Sequence, residues 1–503
     1  MSSTVHSRPP AAHGSGGPDR PDIVIMVADH QAYYRHGWDS EQPVLRPRYD
    51  ALRRQGATFE RAYCMSPLCS PARRSILTGQ YPHNHGEVRN DVNVAFDGAN
   101  LISALSEAGY RVNYFGKWHA GPGTAHDLGA EGFCYPSYNN PYTKPEYAQY
   151  LADRDLPHPE IDIDQGFHPP GWGKPLEGRY IQDGDWCNEH ATGVMVTPDD
   201  THEAYFVANL AAESIRRTAQ DDAPTATIVS FWGPHAPYFP TQRFLDMYDP
   251  ARIEQYGSFD DDLAGRTEIH QREHNVPFGK QDRLIQPSVL SWEQWQRILW
   301  YCYAQNTLVD DAAGRVIDAV DETGGTENTL VLWLADHGDA IASHGGHFDK
   351  RSYLTEEVLR IPLAMRWPRR VAGGSVVQTP TAQIDVLPTV LEAATTRQVD
   401  QLNLDGTSLL GFLDPAGSDR QEIVVETHGH GERVLGRALV GERFKYVTYG
   451  RFGEEYYDLA DDPFELHNLI GAAEHREAIG AARERLQVWR LATGDDATED
   501  SLP

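Results

Sequence analysis

Cysteine is scarce in this sequence. Five among 503 residues, at Cys64, Cys69, Cys134, Cys187 and Cys302, form an odd set with no C-x-x-C pair, which excludes a dense disulfide framework and a thiolate zinc site. A reducing compartment is the expectation. Apolar runs long enough to span a bilayer are missing. The first twenty residues are rich in Pro, Gly and Ser and have no apolar stretch of the kind a secretion signal requires. Residues 1–20 therefore read as a disordered arm, and the chain as a cytoplasmic protein without a membrane partner. Positive charge is also short: 44 Lys and Arg stand against 73 Asp and Glu, a formal net charge of −29. So acidic a surface disfavours nucleic acid, and any anionic substrate needs a locally basic pocket. No internal repeat is present, and nothing in the pattern specifies an oligomeric state.

Ordinary globular composition remains, 40% hydrophobic and 23% charged, in a chain long enough for a large core. Short β-branched apolar runs recur between helical stretches, as expected of parallel strands buried on both faces. Four of them end alike. Asp22–Ala28 runs into Asp29 and His30, Tyr110–Gly116 into Lys117 and His119, Thr225–Trp232 into His235, and Thr329–Ala335 into Asp336 and His337. Ligands bind at the carboxyl ends of strands in open α/β sheets, so four polar endings predict one shared site. Between strands, Leu101–Gly109 reads as a helix closed by an αL glycine. Pro122–Asp200 reads as long structured loops, with Tyr142, Trp172 and Trp186 expected in a pocket wall. Beyond about residue 416 the runs Glu422–Glu426, Arg443–Tyr449 and Glu455–Asp458 predict antiparallel strands, and Ala472–Leu491 an amphipathic helix. The predicted fold class is α/β: a mixed, mostly parallel central sheet sandwiched by helices over 21–415, then a smaller subdomain of antiparallel sheet plus helix over 416–503.

Pro71 suits the first turn of a helix ending at Gly79, which places Cys69 just before that helix's N-terminus. Backbone N–H groups and the macrodipole there favour an anion, and Arg73 lies one turn along. His83, His85, His344 and His347 read as solvated or wall residues, and His428 and His430, in a Gly-rich stretch, as surface turn residues.

Cys69-Ser-Pro-Ala-Arg73, followed by Leu77-Thr-Gly79, resembles the signature of the type I sulfatases of the alkaline phosphatase superfamily, whose cysteine is oxidised to formylglycine. Gly116-Lys-Trp-His-Ala-Gly121, Pro234-His-Ala-Pro237, Ala335-Asp-His-Gly-Asp339 with Lys350, and Tyr456-Tyr-Asp-Leu-Ala-Asp-Asp-Pro463 with Asn468-Leu469 are similar to further family motifs, in the same order. The resemblance implies catalytic roles for Cys69, Arg73, Lys117, His119, His235 and Lys350, and substrate contacts from Asn90, Lys117, His235 and Lys350. It also implies one divalent metal held by Asp29, Asp336, His337 and the hydrated aldehyde at position 69, with His30 either a ligand or a neighbour of the ligands. Two carboxylates suit a hard cation, Ca²⁺ first; two imidazoles in place of the family's usual Asp and Asn make Mn²⁺ the alternative.

The implied activity is hydrolysis of a sulfate monoester of a small alcohol, phenol or sugar, after a formylglycine-generating enzyme has matured Cys69. A phosphonate monoester hydrolase or phosphodiesterase of the same superfamily is the near rival. A non-catalytic binding protein on the same fold is the distant one.

Overall fold

The computed structural model describes residues 20–33, 40–90, 92–136, 140–166, 178–183, 191–274, 290–394, 402–414, 417 and 420–502. Its central sheet has eight strands: β1 (Asp22–Asp29), β2 (Ala57–Phe59), β3 (Arg111–Lys117), β4 (Glu131–Tyr135), β5 (Thr225–Pro234), β6 (Thr329–Ala335), β7 (Leu363–Arg366) and β8 (Ser375–Val377). They lie in the order β8-β2-β7-β6-β1-β5-β3-β4. The four predicted strands β6, β1, β5 and β3 are neighbours and mutually parallel, so their polar ends fall side by side along one edge. β4 continues the parallel run, whereas β7 is antiparallel to both β6 and β2.

The flanking helices used below are α1 (Cys69–Thr78), α2 (Leu101–Glu107), α3 (Glu203–Thr218), α4 (Trp292–Glu322), α5 (Val386–Ala393) and α6 (Arg476–Thr493). Alternation along β1 divides the core. Ile23, Ile25 and Val27 pack with Ile76, Leu101, Leu105 and Val390 of α1, α2 and α5, while Val24 and Met26 pack with Val207, Leu308 and Val316 of α3 and α4. Each such side chain, fully buried, contributes roughly 1.5–3 kcal/mol. Asn100 and Ser103 form a capping box at the start of α2, and Gly109 takes φ 82° just after it, as the sequence predicts.

The C-terminal sheet is antiparallel in the order β9 (Glu422–Thr427), β10 (Gly436–Gly441), β11 (Phe444–Thr448) and β12 (Glu454–Asp458). β10 is not predicted from sequence, because its Ala-Leu-Val run is short and bracketed by glycine. One face of the sheet, through Ile423, Val425, Val440 and Val447, joins the core of the main sheet. The other, through Val424, Leu439 and Tyr446, covers Ile479, Ala482 and Leu486 of α6.

The stretch read as loops holds more structure than that. Besides β4 it contains a helix at Pro145–Asp153 and a three-stranded antiparallel sheet of Glu160–Gly166, Gly178–Ile181 and Ala191–Met195. Tyr142 is not a pocket wall: it is buried against Tyr147 and Trp232, and its hydroxyl accepts the Glu203 N–H at 3.1 Å. Trp172, Trp186, Cys187 and the arm to residue 19 lie outside the described residues. No helix among the described residues is long and apolar enough to cross a membrane.

Candidate active site

Four strand ends and one helix build the site. The Cys69-Ser-Pro-Ala-Arg73 motif opens α1 with Cys69 as its first residue and Leu68 as its cap; Gly79 closes the helix at φ 65°. Cys69 is fully buried, and its sulfur lies 3.1 Å from His337 Nε2 and 3.8 Å from Asp29 Oδ1. Burial pushes the thiol up to about 12, so an unmodified Cys69 stays protonated at neutral pH. The sulfur marks where the oxygens of a hydrated formylglycine would stand.

Asp29 and Asp336 are both buried, and two buried like charges persist only if cations meet them. Arg73, reaching back from α1, supplies one cation: its Nε donates to Asp336 Oδ2 at 2.9 Å and its Nη2 lies 3.6 Å from Asp29 Oδ2. Its Nη1 donates to Ser230 Oγ at 2.5 Å and to Lys117 O at 3.3 Å, tying α1 to β5 and β3. Lys117 supplies the other, pairing with Asp29 at the end of β3. Burial raises the pKa of each carboxyl, and the Asp336 charge raises that of Asp29 further, but His337, Arg73 and Lys117 outweigh this at Asp336, and Lys117 and Arg73 at Asp29; both are held below the usual carboxylate range. Asp336 Oδ1 also accepts the backbone N–H groups of His30 and His337 at 3.0 and 2.8 Å.

His337 Nδ1 is 2.8 Å from the Gly338 carbonyl, a bond that leaves the Nε2 lone pair facing Cys69. Asp29, Cys69, Asp336 and His337 each offer a donor atom within 4.8 Å of the others. Two carboxylates, one imidazole and an oxygen at position 69 suit a hard or borderline divalent ion. His30 falls in a different group, with His235 and Asp349. Its backbone takes φ 66°, and the ring turns away, with Nε2 2.9 Å from Asp349 Oδ1 and its face stacked on His235 at 4.5 Å between centroids.

His235 and Lys350 meet as the sequence predicts, with Lys350 Nζ 3.5 Å from His235 Nε2, while His235 Nδ1 faces the Ala236 carbonyl at 2.7 Å. Burial, then the Lys350 charge, pushes His235 down to about 3. Burial and Lys117 likewise hold His119 well below its usual value. Lys350 is held charged by Asp349 Oδ1 at 3.0 Å, despite burial. Asn90 sits beside the helix start and accepts the Ser70 N–H at 3.0 Å.

Sequence reasoning misses Asp349, Ser230 and Gln383. Gln383 Nε2 donates to the Ala335 and Asp336 carbonyls at 2.8 and 2.5 Å, and its Oε1 accepts the Met65 N–H at 3.1 Å. Only Asp349 had a visible signal, its place next to Lys350. The histidines read as exposed are mostly not so: His85, His344, His347 and His428 are buried.

This arrangement matches a known one. The sulfatase family profile covers residues 21–396, about three quarters of the chain. The chain belongs to the sulfatase family. A second profile, N-sulphoglucosamine sulphohydrolase, C-terminal, covers residues 343–491 of this sulfatase. It is 29% identical over 458 residues to the uncharacterized sulfatase YidJ of Escherichia coli K12, covering 90% of this chain and 83% of that one. It is 26% identical over 475 residues to an arylsulfatase of Clostridium perfringens, covering 93% and 94%. The solved phosphonate monoester hydrolase of Agrobacterium radiobacter superposes with a TM-score of 0.74 at 22% identity, covering 94% and 96%. The protein is a sulfuric ester hydrolase with the mixed sheet and antiparallel C-terminal sheet of this fold.

Proposed function

We propose that this sulfatase hydrolyses a sulfate monoester of a small alcohol, phenol or sugar, with formylglycine made from Cys69 as nucleophile and one divalent metal ion. The observation that carries this reading is the position of the Cys69 sulfur, 3.1 Å from His337 Nε2 and flanked by Asp29 and Asp336. Asp29, Asp336 and His337 would hold the metal, Ca²⁺ in the first instance and Mn²⁺ as the alternative. Metal and hydrated aldehyde together supply an acidified oxygen nucleophile beside the sulfur of the ester. Arg73 keeps both carboxylates ionised and fixed between α1 and the strand ends. Lys117 and Lys350 attract the sulfate oxygens and stabilise the charge that grows on them.

Each histidine role follows from a proton at a stated atom. His235 is neutral and donates through Nδ1 to Ala236 O, so its Nε2 accepts from the Lys350 ammonium. The proton for the departing oxygen therefore comes from the Lys350–His235 pair rather than from a free imidazolium. His119, also neutral, accepts the proton from the position-69 hydroxyl when sulfate leaves. Asn90 holds the start of α1, with substrate contact as its second role.

The likeness to a phosphonate monoester hydrolase supports one other reading, the same site acting on phosphonate monoesters or phosphodiesters. Relative kcat/KM on an aryl sulfate, a phosphodiester and a phosphonate monoester decides between them. The sulfatase reading expects the sulfate ester first by at least about tenfold, a difference of about 1.4 kcal/mol in transition-state binding. A faster phosphonate ester would overturn it. Residence in the cytoplasm and a small imported ester belong to the same proposal, and fractionation of the native host tests them.

A further inference from the structure

His30 directly follows Asp29, yet its side chain belongs to the other half of the site, with His235 and Asp349. It is buried and takes a left-handed φ of 66°, which a residue with a Cβ adopts only where its surroundings fix it. The Asp336 carboxylate does so by accepting the His30 N–H at 3.0 Å. So placed, the ring meets three groups at once. It stacks on His235 with 4.5 Å between centroids and 20° between planes, stands at 86° to the His337 ring at 4.8 Å, and brings Nε2 to 2.9 Å from Asp349 Oδ1.

The last contact gives the ring a direction. Carboxylate oxygens only accept, so the proton between Nε2 and Asp349 is carried by His30. The same Oδ1 accepts from Lys350 Nζ at 3.0 Å. One oxygen thus serves two donors, and the place of each constrains the other. Lys350 Nζ in turn lies 3.5 Å from His235 Nε2, so the chain from His30 through Asp349 and Lys350 to His235 closes on itself through the His30–His235 stack. His30 Nδ1 makes no hydrogen bond, Asp339 Oδ2 being 3.7 Å away. A side chain that only filled this space would need no N–H aimed at Asp349, and an imidazole costs more to bury than a hydrocarbon. Lysine, by contrast, has a flexible four-carbon stem, and an ammonium that must meet a departing oxygen gains from a fixed partner.

We infer that His30 is a positioning residue of the reaction: through Asp349 it aims the Lys350 ammonium at His235, and through its ring face it holds the His235 imidazole. His30 acts on the Lys350–His235 pair of the function proposed above, on which this inference rests, and holds no metal. In the step it serves, the S–O bond breaks, the electron pair goes to the ester oxygen, and a proton passes from the pair to that oxygen.

The test compares phenyl sulfate with 4-nitrophenyl sulfate on the full-length, matured, metal-loaded enzyme. The nitro group stabilises the leaving phenolate, so the second ester depends less on a proton donor. His30→Asn tolerates the left-handed backbone, but its shorter amide falls short of Asp349. It should lower kcat/KM on phenyl sulfate by about 10²-fold and on 4-nitrophenyl sulfate by less than about tenfold, with metal per chain equal to wild type. His30→Gln restores an N–H at the reach of Nε2 and should return the ratio of the two esters to within about threefold of wild type. If His30→Asn does not fold, Asp349→Asn gives the same comparison, with the same selective loss expected. An equal loss on both esters, no loss on either, or a loss of metal that excess metal restores overturns the positioning role and leaves the sulfatase reading standing. So does a His30→Gln variant no better than His30→Asn. Wild-type enzyme inactive on both esters strikes the sulfatase reading instead.

Discussion

Among the described residues, two regions that bury several charges together are finished differently. Along the strand edge, Arg73 and Lys117 face Asp29 and Asp336, yet His30 Nδ1 makes no hydrogen bond and the Cys69 sulfur stands among donors. At the seam with the C-terminal sheet, carboxylates are closed off by cations. Arg437 grips Asp495 through two nitrogens, each at 2.9 Å, and lies 3.4 Å from Glu426. Lys445 lies 2.6 Å from Glu465 and 3.1 Å from Glu356. His344, Glu357 and Glu465 form a group that resembles a metal site in its spacing, but Arg266 Nη2 already lies 2.7 Å from His344 Nδ1 and 2.6 Å from Glu465 O. The seam's bare imidazole nitrogens, as on His347, belong to a ring held neutral and stacked flat on Tyr353 at 4.0 Å. Charge that is fully paired holds a fold together; charge left open to a further group does chemistry.

That contrast can be broken at either end. The largest effect is expected at position 69: Cys69→Ala should lower kcat/KM by at least about 10⁴-fold. The fold should stay intact by circular dichroism, since one small side chain is lost. Retained turnover would remove the strand edge from the chemistry. Asp336→Ala comes next. It should cost about 10²-fold or more in kcat/KM and also destabilise the fold by about 3 kcal/mol in denaturant, because Arg73 loses its 2.9 Å partner while buried. The same substitution type at the seam separates the two regions. Asp495→Ala should cost about 2–3 kcal/mol by leaving Arg437 half-paired, with kcat of the remaining folded enzyme unchanged. A large kcat loss there would mean that the seam is not merely structural.

The smallest expected effect is a pH dependence behind β5. Burial pushes the Glu203 carboxyl up to about 8 from an ordinary 4.5, while its Oε1 accepts the Gly233 N–H at 3.1 Å. A carboxyl raised in the folded state binds its proton more tightly than the unfolded chain does. Its contribution is therefore fully present below about pH 4.5, declines between 4.5 and 8, and is lost above. Glu203→Gln, which mimics the protonated form, should gain on wild type by on the order of 2 kcal/mol between acid and mildly alkaline pH. A stability difference that does not change with pH would contradict the burial argument.

What could be read from sequence divides along the same line. The strand edge is legible because buried parallel strands are continuous apolar runs, and a polar residue ending such a run, as Asp29 ends β1, is visible without knowing its partners. The helix of Cys69 is legible through Pro71 and Gly79. The seam is not, because its residues are brought together by distant packing: His428 and Glu426 lie in one short stretch, but their partner Arg437 is on β10, a strand too short to predict. The direction of the His30 ring fails for a related reason. It is set by Asp349, far along the chain, and no local pattern points to it. His83, which its sequence context marks as a solvated or wall residue, is largely covered and paired with Glu426 at 2.6 Å.

What occupies position 69 in working enzyme is the decisive question. Mass spectrometry of the peptide spanning Cys69, taken from protein whose turnover of an aryl sulfate has been measured in the same preparation, tests this directly. The aldehyde in place of the thiol, in a fraction that rises and falls with specific activity, is the predicted result. Unmodified cysteine throughout a fully active preparation would contradict it.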